Sequence, residues 1–82
     1  MDTDGEYFTS NERVLVSPAA GVFVPTMGLP PTIDPGATLG HVRSTHHEVP
    51  VVSAFGGRLM AMDAEAGQRV TEHQRLGWLR AV

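Results

Sequence analysis

The chain contains no cysteine. That excludes a disulfide framework and a thiolate zinc site, so no such crosslink can support a small core. The same usage fits a reducing compartment. Lysine is missing as well, and all six basic residues are arginine. No apolar run approaches the roughly 18–20 residues that a membrane span needs. The opening Met1-Asp2-Thr3-Asp4-Gly5-Glu6 is acidic and lacks the basic-then-apolar order of a secretory signal. These absences predict a soluble, cytoplasmic protein without membrane contact. Helical composition is scarce too. Only Asp63-Ala64-Glu65-Ala66 has it, and four residues closed by Gly67 are too few to nucleate a helix alone.

What charge there is lies unevenly. Asp2, Asp4, Glu6 and Glu12 fall in the first twelve residues, leaving five acids against six arginines in the remainder. The body is nearly neutral and the net charge of −3 belongs to its leader. Without a concentrated basic face, nucleic-acid binding is not expected. Residues 1–12 lack periodicity and read as a flexible tail, with Tyr7 and Phe8 placed to touch the body. Residues 13–82 form one domain, small enough to bury only about 60–65% of its unfolded surface.

From Arg13 the texture turns to short β-rich runs between glycine and proline. Val14-Leu15-Val16 ends at Ser17-Pro18, and Gly21-Val22-Phe23-Val24 ends at Pro25. Leu39–Arg43, Val49–Ser53, Gly57–Met62, a brief Arg69-Val70 and Leu76–Ala81 follow. Pro50 marks its strand as an edge or a bulge. Such spacing predicts an all-β sandwich or barrel. Its expected core is Phe23, Leu39, Leu59, Leu76 and Trp78, with some of Val14, Val16, Val22 and Val70. A Trp78 that stayed partly exposed would instead mark a dimer surface.

The runs repeat. Ser17 and Gly21 recur 36 positions later as Ser53 and Gly57, and Leu39, Gly40 and Arg43 recur 37 positions later as Leu76, Gly77 and Arg80. One residue of slippage in a connecting loop would reconcile the offsets. Two copies cannot make a solenoid, so the pattern predicts a pseudo-twofold domain. Its halves meet at the polar stretch Arg43-Ser44-Thr45-His46-His47-Glu48-Val49-Pro50.

Four segments now carry a resemblance. Ser17-Pro18-Ala19-Ala20-Gly21-Val22, Asp34-Pro35-Gly36-Ala37-Thr38-Leu39, Ser53-Ala54-Phe55-Gly56-Gly57-Arg58-Leu59 and Glu65-Ala66-Gly67-Gln68-Arg69-Val70 resemble the biotinyl/lipoyl carrier domain family. The biotin carboxyl carrier domains of acyl-CoA carboxylases are the nearest in pattern. The resemblance spans residues 13–82 and implies a barrel-sandwich hybrid, a flattened sandwich of two four-stranded antiparallel sheets. It also implies a cofactor lysine within a Met-Lys-Met triplet at the hairpin between the halves. Aligned without gaps from Ser53, that triplet falls on Thr45-His46-His47, with His46 in the acceptor position. The family's preceding glutamate falls on Arg43, a charge reversal, while Glu48 agrees with the family pattern. Biotin and lipoate are fastened by an amide to a primary amine. Imidazole forms no equivalent stable amide, so no covalent cofactor is expected.

Several uses of the altered tip stay open at this level. The chain reads first as a non-carrier accessory or binding module, with carboxylase or synthase subunits of acyl-CoA or polyketide-type metabolism as implied partners. The alternative is a small enzyme or a ligand- or metal-binding protein built on His46 and His47. Its catalytic candidates are His46, His47, Arg43 and Glu48. Its metal candidates are His46, His47, Glu48 and His41, although neighbouring histidines on a strand point oppositely and chelate one ion poorly. Arg43 offers a clamp for carboxylate or phosphate. An exposed tip excludes no water, so the apolar loop Thr26–Thr32 or a homodimer partner would have to build a pocket. The bland reading of His46 and His47 is that of turn residues tolerant of positive φ.

Overall fold

Glycine, proline and short polar turns cut the chain into eight strands: β1 (Glu12–Val16), β2 (Gly21–Pro25), β3 (Thr32–Ile33), β4 (Thr38–Arg43), β5 (Glu48–Val52), β6 (Gly57–Met62), β7 (Arg69–Val70) and β8 (Arg75–Arg80). The computed structural model describes residues 11–81. The expected tail therefore lies outside the described residues, except for Asn11 and Glu12, and so do Tyr7 and Phe8. Glu12 belongs to β1, where it pairs with Arg80. Among the described residues there is no helix, and none is long and apolar enough to cross a membrane. Asp63–Ala66 is irregular chain tied down by an Asp63–Arg75 ion pair at 2.9 Å.

The strands form two antiparallel four-stranded sheets, ordered β1-β8-β6-β3 and β5-β4-β2-β7. This is the flattened barrel-sandwich. Each half of the chain gives two strands to each sheet, so the internal repeat is a structural one. It extends to individual bonds. Gly36 N–H donates to Ser53 O at 2.7 Å and its counterpart His73 N–H donates to Ser17 O at 2.8 Å. The buried Ser17 hydroxyl donates to Ala19 O at 2.6 Å, and the buried Ser53 hydroxyl donates to Phe55 O at the same distance. The repeated glycines mark the closest approaches. A Cβ on Gly21 would meet Arg43 O at 2.5 Å, and one on Gly57 would meet Arg80 O at 2.4 Å.

The slippage between the repeats is not in a loop. Phe23 pairs with Val42 and Val24 with His41 in consecutive register, whereas Leu59 pairs with Leu79 and Ala61 with Trp78. Met60 is the extra residue, held in a β-bulge of β6. A bulge turns the next side chain to the other face. Met60 is exposed while Met62 packs against the core.

Phe23, Ile33, Leu39, Val42, Val51, Val70, Leu76, Leu79, Leu15 and Ala64 fill the space between the sheets. The expected core valines of β1 point outward: Val14 and Val16 are 43% and 46% exposed, and Leu15 between them is buried. Trp78 is half-buried on the outer face, with the Arg80 guanidinium 5.8 Å from its ring centre. Leu59 packs against the core from its margin.

Candidate functional site

The tip is a tight hairpin joining β4 to β5. Arg43 pairs with Glu48 at the last rung, and inside it Ser44 N–H donates to His47 O at 2.8 Å. Arg43 donates to Glu48 Oε2 through Nε at 3.2 Å and Nη2 at 2.9 Å. Both side chains are about half exposed, so this pair adds at most about 1 kcal/mol and serves mainly to aim the guanidinium. His46 and His47 are exposed. Neither has positive φ: among the described residues the non-glycine residue with that conformation is His73, at φ 71°. His73 fills the place that Gly36, at φ 90°, occupies in the first half.

Of the candidates named from the sequence, Arg43, His46, His47 and Glu48 share the tip. His41 sits two residues below Arg43, paired with Pro50 and half-buried. No group of three or more His, Asp or Glu side chains is placed to hold a metal ion among the described residues. The loop 26–32 leaves from the other end of β2, where Pro25 pairs with Gly40, and so stands away from the tip. Its Leu29 packs on the core and its Met27 is 89% exposed.

What does border the tip is β7. Val22 pairs on one side with Arg43 and on the other with Arg69. A concavity of about 620 Å³ opens above this row, walled by Arg43, Ser44 and Thr45 on one side and by Arg69 and Thr71 on the other. Arg69 and Thr71 carry no signal of their own in the sequence. Only the pairing of β7 with β2 places them beside the tip.

No family model matches the chain, and no curated protein matches it. Among solved structures, the urea carboxylase of Kluyveromyces lactis is similar over 84% of this chain, with a TM-score of 0.73 and 16% sequence identity. This chain spans only 6% of that enzyme's chain. At such identity the likeness establishes the fold alone, the flattened sandwich of two four-stranded antiparallel sheets.

Proposed function

We propose that this protein is a non-carrier module of the biotinyl/lipoyl type. It keeps the hairpin at which the carriers display their lysine and uses it as an accessory or binding surface for a carboxylase or synthase subunit. The observation that carries this reading is the tip itself. The hairpin is intact, yet His46 offers imidazole where the attachment chemistry needs a primary amine, and no lysine exists in the chain to replace it. Acylated imidazole is readily hydrolysed, so the donor set does not fit a permanently tethered biotin or lipoate. The likeness to a short stretch of a urea carboxylase supports a partner of the carboxylase kind.

Two measurements test it. Intact mass of the chain co-expressed with a biotin ligase and a lipoate ligase should equal that of the unmodified polypeptide; an added biotinyl or lipoyl mass refutes the reading. A carboxylase or synthase subunit should co-purify with the wild type and be lost on joint His46→Ala and His47→Ala substitution. Retention by a folded double variant would refute a role for the tip. Ligand binding at the root of the tip is the second reading, favoured by the concavity beside Arg43.

A further inference from the structure

The outer face of the second sheet carries one cross-strand row drawn from all four strands: Glu48, Arg43, Val22 and Arg69. Directly paired residues project to the same side of a sheet. Strands lie about 4.8 Å apart, so the Arg43 and Arg69 backbones stand about 10 Å from one another with Val22 between them. Both arginines line the concavity over Val22, one from each side, and Glu48 on the far strand holds Arg43 by Nε and Nη2. We propose that the two guanidinium groups bind the oxyanion of a small molecule, a phosphate or carboxylate held in that concavity.

Four features of the site support this. Glu48 engages Nε and Nη2 of Arg43, leaving Nη1 without a protein partner among the described residues. Arg69 forms no ion pair among them either. The hydroxyls of Ser44, Thr45 and Thr71 line the walls, and no carboxylate does. Arginine forks match the planar or tetrahedral geometry of such anions bidentately. The Ser44 and Thr71 hydroxyls already donate to His47 O and Gln74 Oε1, each at 3.4 Å, which leaves that of Thr45 to add a donor. The volume falls within the range of small-molecule sites, and Val22 offers an apolar floor for the rest of the ligand.

The pseudo-twofold supplies an internal control. The matching row on the first sheet is Glu12, Arg80, Arg58 and Thr32. The position of Arg69 is there a threonine, and Arg80 lies toward the Trp78 ring. The fold is thus built with or without an arginine at this position. Its presence at 69 answers to something other than folding.

The test is an amide-resolved NMR titration of the full chain at low ionic strength, with pyrophosphate and malonate as separate probes. Saturable shifts at Gly21, Val22 and Thr71 are expected with at least one of them. Saturation by pyrophosphate identifies a phosphate ligand, and saturation by malonate a carboxylate. Arg69→Gln should weaken that binding by at least about tenfold and Thr71→Val by less. Arg58→Gln, on the other sheet, should leave it within about twofold. Saturation by neither probe overturns the proposal. So does an Arg69→Gln effect no larger than that of Arg58→Gln in chains with unchanged amide dispersion. The inference is separate from the partner reading, which stands or falls with His46 and His47.

Discussion

Replacing Gly21 by alanine tests whether the tip and the pseudo-twofold share one constraint. The new Cβ would lie 2.5 Å from Arg43 O, 2.9 Å from its carbonyl carbon and 3.0 Å from a Val42 methyl. The first two obstacles are backbone, so no side-chain rotation relieves them, and β2 must part from β4 by roughly half an ångström. Overpacking of this sort costs about 1–3 kcal/mol, and a backbone obstacle places it in the upper part, about 2–3 kcal/mol. A domain this size is held by only about 4–12 kcal/mol in total. At about 4–8 °C per kcal/mol, Tm should fall by about 10–20 °C. Gly57→Ala, whose Cβ would meet Arg80 O at 2.4 Å, should cost the same within error. Gly28→Ala is the control: nothing lies within 4 Å of its Cβ, and only its φ of 72° opposes the change, at about 1–2 kcal/mol. Urea denaturation followed by Trp78 fluorescence gives all three values, since Trp78 is the sole tryptophan. If Gly21→Ala costs no more than Gly28→Ala, the close approach of β2 to β4 is not what fixes the glycine.

Ser17→Ala and Ser53→Ala should each destabilise by about 0.5–1.5 kcal/mol, because each removes the bond from a buried hydroxyl to a loop carbonyl; equal losses in denaturant midpoints would confirm their equivalence. His73→Gly should stabilise by about 0.5–1 kcal/mol, the relief of a left-handed backbone less the added freedom of the unfolded chain. A lower Tm in that variant would count against the strain. Glu48→Gln should change stability by less than about 0.5 kcal/mol, since both partners are about half exposed and screened by water; calorimetry at two salt concentrations would show a larger effect if the pair were structural.

The frame of the molecule was legible because glycine and serine repeat where backbones must touch. Gly21 and Gly57, Gly40 and Gly77 recur at the crossings, and Ser17 and Ser53 at the buried corners. The phase of β1 was not legible. Val14, Leu15 and Val16 are three apolar residues in a row, and only pairing with β8 decides that Leu15 turns inward. Trp78 is taken for core by size alone, yet its repeat partner is the polar His41, which marks the same half-buried outer position. The place of the extra residue was hidden, since a bulge at Met60 leaves no composition trace. At the site, Arg43 and Glu48 could be read as the base of a hairpin, while Arg69 could not. Its proximity depends on β7 crossing to β2, a long-range register that local pattern does not encode.

The exchange of strands between halves has a consequence for a nicked molecule. Cleaved between Thr45 and His46, the first fragment alone would keep only the β2–β4 pairing and the second only β6–β8. Every other ladder, β1 with β8, β2 with β7, β3 with β6 and β4 with β5, would run between the two pieces. Each piece is therefore the template on which the other folds, and mixing them should reconstitute what neither forms by itself. Reconstitution would make the covalent link at the hairpin dispensable to the architecture, and its sequence free to change chemistry without loosening the body beneath it.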